Sequence, residues 1–252
     1  MSHSSHVHVG EHEDADSTKT SKFELIAAVL LGLAGILTAL ASFQAGLWNG
    51  KMSEHYGKAN AMATAAAAEK SRAIVEMSRD ATVDIQAKQL IMEGDENPAV
   101  RLRDHTIAAY LYTVQMSDAG YKAMGFPAEA KKLVKDDPKT PQDESKVAAF
   151  GEELIDKALR NELTDNANYR NEMLAESKKG SDEADKTFAE GVKAKENGDH
   201  FELGDVIFAV SLFFTGISLV FRTRIRWGVI LVGGFFLFCG IVYMLTLHWT
   251  LS

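Results

Sequence analysis

Two charge-free apolar runs, Val206–Phe221 and Trp227–Leu247, are separated only by Arg222-Thr-Arg-Ile-Arg226. A helix needs about 20 apolar residues to cross the hydrocarbon of a bilayer. Inside lipid its backbone groups must be satisfied within the helix itself. Two such runs joined by a triply basic link therefore predict a transmembrane hairpin, with spans at 201–221 and 227–248 and a basic turn at 222–226. Leu25–Trp48 also lacks any charged side chain and is long enough to cross, which predicts a first span at 23–48. The expected fold is all-α: three transmembrane helices, with a helical-bundle soluble domain (49–200) inserted between the first and the second.

The first run ends on Phe43, Leu47 and Trp48, and an acidic tail precedes it. Ala39-Leu-Ala41 resembles a cleavage site, but a signal peptide has a basic start and a shorter apolar core, so a retained helix is expected. Small or hydroxylated residues recur at four-residue spacing in Ala34, Thr38 and Ser42, and again in Gly35 and Ala39. In lipid such lines let helices approach closely. The same residues could line a polar path, but packing is the commoner cause.

Charge is partitioned. It lies almost entirely in the N-terminal tail and in Lys51–His200, and the net value of −8 leaves no basic face for nucleic acid. Low aromatic content, abundant Ala and no strand-like alternation support helices throughout. Cys239, the single cysteine, can form no disulfide within the chain.

Beyond Trp48 an apolar face continues through Met52, Tyr56, Ala59, Ala63, Ala66, Ala73 and Met77. The first helix is therefore expected to run on to about Met92, where Gly94-Asp-Glu-Asn-Pro98 stops it. Its Ala stripe predicts a second helix lying very close. Pro98–Met124 reads as one helix, Gly125-Phe-Pro127 as a break, and Ala128–Val134 as a short helix. Asp136–Pro141 reads as a loop. Gln142–Leu163 resumes helical spacing, Leu163-Thr-Asp165 predicts a bend, and Ala167–Asn197 is a charged helix that Gly180 and Gly191 could loosen. His105, with no ligand partner at helical spacing, reads as structural or exposed.

Candidate site residues are few. Residues 1–22 have the composition of a disordered tail. In it His6, His8 and His12 lie among carboxylates and could share a transition-metal ion. Asp205 falls in the first turns of the second span, and Ser211, Thr215 and Ser218 extend a polar line along it. Such a line is either a route for ions or a set of helix–helix hydrogen bonds. Trp48, Trp227 and Trp249 (the last in the end segment 249–252) suit the membrane interfaces. No nucleophile–base set, phosphate loop or dinucleotide fingerprint is present. Neither catalysis nor a bound cofactor is expected.

Arg222, Arg224 and Arg226 determine topology: by the positive-inside rule their turn is cytoplasmic. Parity then places 49–200 and the C-terminus outside and the N-terminal tail inside. In a bacterium the membrane would be the inner one and the domain periplasmic.

Ser42-Phe-Gln44-Ala45-Gly-Leu-Trp48-Asn-Gly50, followed by Tyr56 and an Ala-rich helix, resembles the S-x-Q-A-x-x-W-x-G block of a family of uncharacterised bacterial membrane proteins. Gly198–Leu203 and Phe208–Ser218 are similar to that family's second membrane helix. The resemblance implies one span, a helical domain and a hairpin, and it implies no activity. The expected role is a membrane scaffold that assembles with itself or binds another membrane protein. The alternatives are a subunit of an oligomeric channel or small transporter, and a metal-responsive membrane protein.

Overall fold

The computed structural model describes residues 13–131, 144–221 and 224–250, with backbone alone for 13–21 and 144–150. The described residues are helical, without strands. In chain order the helices are α1 (Glu13–Glu96), α2 (Arg101–Tyr110), a π-helical segment Leu111–Gln115, α3 (Asp118–Ala123), α4 (Glu144–Arg160), α5 (Ala167–Ser218) and α6 (Ile225–Leu245). A helical turn also occupies 128–131. Three helices, α1, α5 and α6, contain stretches long and apolar enough to cross a membrane.

Helix α1 starts at Glu13, inside the segment whose composition reads as a tail. Adding residues to a formed helix is far easier than starting one, so the apolar segment can carry its helix back through weak formers. The 98–124 stretch departs from the sequence reading. It is divided by the π-helical segment, and Met116 then turns extended at ψ 143°. Ser117 caps α3, its Oγ accepting the Gly120 N–H at 2.9 Å. A Ser three residues before a free N–H is a stronger local signal than the apolar spacing around it. The expected break at Gly125 is present: φ of +70° there closes α3, and the Phe126 N–H reaches back to the Tyr121 carbonyl. A bend at 161–166 separates α4 from α5, whereas α5 runs unbroken through Gly180 and Gly191.

The chain forms two compact units. The first comprises Met1–Lys58 and Thr187–Ser252. Its core sets small residues of α1, Ala34, Ala41 and Ala45, against Phe201, Phe208, Leu237 and Met244 of α5 and α6. Ala27, Ala34 and Ala41 follow one another at seven-residue steps and all are fully buried, whereas Ser42 is exposed. The buried line thus differs from the four-residue line seen in sequence. Glycines complete the fit: a Cβ on Gly240 would lie 2.5 Å from the Phe208 ring, and one on Gly191 2.6 Å from Tyr56.

The second unit is Ala59–Lys186. Along its part of α1, Ala59, Ala66, Ala73, Asp80 and Ala87 are buried at steps of seven, the repeat of a helix-packing seam. Opposite Ala66, Gly180 of α5 leaves room for only 3.1 Å between their Cβ positions. The Ala stripe is therefore a seam against α5. Tyr112, Met116, Tyr121, Met124 and Phe126 close the core with Leu154 and Ala158 of α4.

Candidate functional site

Ser211, Thr215 and Ser218 occupy one stripe of α5, and all three are fully buried. Their neighbour is α6. Ser211 Oγ donates to the Gly233 carbonyl at 2.8 Å, and Ser218 Oγ donates to the Thr215 carbonyl at 2.6 Å. A Cβ on Gly233 would stand 2.5 Å from Thr215 Oγ1 and 3.1 Å from the Thr215 backbone nitrogen. Thr215 Oγ1 itself has no hydrogen-bond partner. These hydroxyls serve a glycine-mediated contact between two helices of one chain.

Asp205 faces the other way, to α1. Ser42 Oγ donates to its Oδ2 at 2.8 Å, while Asp205 Oδ1 and Thr38 Oγ1 are buried without partners. The four polar positions of the sequence reading therefore fall into two groups on different faces of α5. Ser42, noted in sequence for its small size, supplies the hydrogen bond to Asp205.

Close to that site the chain's last described residues are gripped by α1. Gln44, buried, donates from Nε2 to the Thr250 carbonyl at 3.3 Å and accepts the Thr250 N–H on Oε1 at 3.2 Å. Trp48 Nε1 donates to the His248 carbonyl at 3.2 Å, and Lys51 Nζ to Thr250 Oγ1 at 2.6 Å. Asn49 Nδ2 reaches Glu202 on α5 at 3.3 Å. Trp249 packs edge-on against Phe201 and donates to the Met244 carbonyl. The Gln, Trp and Asn of the S-x-Q-A-x-x-W-x-G block thus act as a clasp on residues 248–250 and on α5.

At the other end of the first unit, Arg224 precedes α6 and Arg226 lies in its first turn. The Arg226 guanidinium carbon sits 4.6 Å above the ring of Phe23, and Trp227 meets the same ring edge-on at 5.1 Å. Arg222 lies outside the described residues.

The second unit holds two buried carboxylates that sequence reasoning passed over. Asp80 is fully buried. Its Oδ1 accepts the Ser117 N–H at 2.8 Å, and its Oδ2 accepts the Ser117 hydroxyl and, at 2.7 Å, the Tyr169 hydroxyl. One turn on, Asp84 accepts from Tyr112 at 2.8 Å and from Lys88 Nζ at 3.0 Å. Burial, then the Asp84 carboxylate, pushes the Tyr112 phenol above its ordinary range. Burial and the hydrogen bond to Asp80 do the same for Tyr169. Burial raises Tyr121 to about 12. Asp80 takes only neutral donors, whereas Asp84 is shared between a phenol and the Lys88 ammonium; both arrangements are suited to fixing helices in register.

A groove of about 390 Å³ lies over the π-helical segment, lined by Glu76, Arg79, Thr113–Asp118 and Lys131. Lys131 is already engaged, by Asp118 at 2.7 Å and by the Met116 carbonyl. His105 packs on Gly94, with Nε2 3.2 Å from Asp95. Asp104 beside it is buried with Oδ2 unpartnered, and Arg103 binds its Oδ1.

His6, His8 and His12 lie outside the described residues. Among the described residues no group of three or more His, Cys, Asp or Glu side chains is placed to hold a metal ion. Cys239 is half-buried in α6 and free. The chain matches no family model, no curated protein and no solved structure.

Proposed function

We propose that the protein is a membrane-anchored helical scaffold that assembles with copies of itself. One observation carries this reading. On α1 of the second unit, Ile74, Ile85 and Met92 are 50%, 58% and 59% exposed. Their spacings of eleven and seven residues keep them within about 20° of one another around the helix. Such an apolar stripe along one helix face marks a contact surface, and its repeat suits another helix. A second copy is the occupant proposed, because closed homo-oligomers dominate and two copies can offer each other the same stripe.

In this reading α1, α5 and α6 cross the inner membrane of a bacterium. The Arg222–Arg226 turn and the N-terminus face the cytoplasm, and 49–200 lies outside. The role is assembly rather than catalysis. The likeness to uncharacterised bacterial membrane proteins belongs to the same proposal. The burial of Ser211, Thr215 and Ser218 against α6 supports a scaffold over a pore, since hydroxyls spent inside one chain cannot line a path between copies.

A channel subunit is the second reading. It is favoured by Asp205 Oδ1 and Thr38 Oγ1, polar atoms left without partners within the spans.

Cross-linking distinguishes self-assembly from capture of another protein. Ile85→Cys in a Cys239→Ser background is expected to give a disulfide-linked species of twice the chain mass in membranes. Arg72→Cys, elsewhere on the same helix, is expected to give none. Cross-links from Ile85→Cys only to other proteins would turn the reading to a foreign partner, and equal yields at both positions would sink it.

A further inference from the structure

The Arg224–Trp227 end of the hairpin carries cations that no carboxylate among the described residues matches. Among the described residues, Lys22, Arg224 and Arg226 make no ion pair with any carboxylate, and Arg226 donates no hydrogen bond. The opposite end of the spans differs: Lys51 is bound to Thr250 and Trp48, and Lys195 pairs with Asp199 at 2.8 Å. Arg226 is nevertheless held. Its guanidinium lies over Phe23, which is 2% exposed and packs with Ala27 and Ile230. The ring face engages only part of the guanidinium, and guanidinium N–H donors bind phosphate oxygens two at a time. Trp227, 42% exposed, borders the same ring. An indole at this position suits the headgroup layer.

A guanidinium held over a buried ring, a second arginine two positions before it, a lysine next to Phe23 in the chain and an aromatic border make a phosphate site at headgroup depth. We propose that Arg226, seated over Phe23, binds the phosphate headgroup of an anionic phospholipid together with Arg224, two positions before it, and Lys22, next to Phe23 in the chain. The proposal rests on the membrane-spanning reading of α1, α5 and α6. It adds a specific lipid to that reading: Arg226 grips the phosphate, while Arg224 and Lys22 supply the charge that selects an anionic headgroup over a zwitterionic one.

The test uses the full-length protein, extracted in mild detergent and exchanged with an equal mixture of phosphatidylglycerol and phosphatidylcholine. Bound lipid is then counted by native mass spectrometry. Wild type is expected to retain phosphatidylglycerol at least about fivefold over phosphatidylcholine, the factor one basic side chain contributes at a membrane surface. Arg226→Gln is expected to erase most of this preference. Arg226→Lys keeps the charge and the hairpin's orientation but loses the paired donor edge, so an intermediate preference is expected. Phe23→Leu, which preserves packing but removes the stacking face, is expected to weaken retention. Equal retention of the two lipids by wild type would overturn the proposal, as would an unchanged preference in Arg226→Gln. Competition by inorganic phosphate as effective as that by the lipid would overturn the lipid assignment. Alkaline carbonate washing of membranes separates the two levels: release of the wild-type chain would refute the membrane reading itself, whereas a retained chain without lipid preference refutes only the site.

Discussion

Asp80 stands where an alanine would complete the seam of Ala59, Ala66, Ala73 and Ala87, and its carboxylate is fully buried. A charged group in that place forfeits water, and the Ser117 N–H and hydroxyl and the Tyr169 hydroxyl replace it. Only one alignment of α1, the Ser117 turn and α5 supplies all three donors, as a lone polar group does in a coiled-coil seam. Asp80→Ala should therefore destabilise the second unit by about 2–4 kcal/mol, although alanine is the seam's own residue, because it strands buried donors. Adding Tyr169→Phe and Ser117→Ala should recover part of the loss. Denaturant midpoints of the single and triple variants check this; an unshifted Asp80→Ala midpoint would contradict it. The tyrosines give a second handle. The folded-state values of Tyr112, Tyr121 and Tyr169 are raised above the ordinary 10.0. A raised value means that the folded state holds its proton more tightly. The associated stability is complete below pH 10 and is lost as pH rises beyond it. Alkaline titration followed by tyrosinate absorbance should show Tyr112, Tyr121 and Tyr169 ionising late, together with unfolding. Ionisation of these three near pH 10 with the helices intact would count against their burial.

At the scale of helices, glycine and alanine decide what touches what. Gly233 of α6 lies against the backbone of α5 at Thr215 and Ser211, and neighbouring backbone cannot swing aside as a long side chain can. Gly233→Ala is expected to separate the two helices and lower the thermal midpoint in detergent, with a cost of about 1–3 kcal/mol. Gly234, with open space around it, is the control and should tolerate alanine. The three long apolar helices were readable from sequence, because long apolar runs without charge or breakers leave few alternatives. The seam against α5 was readable from its small residues, but its register was not. Ala63 fits the helical period as well as Ala59 does, yet it is exposed, and only the packed partner distinguishes them. Asp80 was legible in principle, since a seven-residue count from Ala59 lands on it; its charge disguised it as surface. The division of 98–124 was missed because a five-residue π-helical segment has the same apolar content as the helix it interrupts. The polar line on the second span showed its residues but not its direction, since Asp205 and Ser211 turn to different helices.

At the scale of the whole protein, the central claim is assembly. The second unit exposes Ile74, Ile85 and Met92 along one face of α1. Burying them against a second copy would remove an aligned apolar surface from water. The most direct test is the native mass of the detergent-extracted protein, compared with a variant carrying Ile74→Lys, Ile85→Lys and Met92→Lys. The account predicts a defined oligomer for wild type and a folded monomer for the variant, with unchanged helix content. A wild-type monomer, or an oligomer that survives the three substitutions, would contradict it.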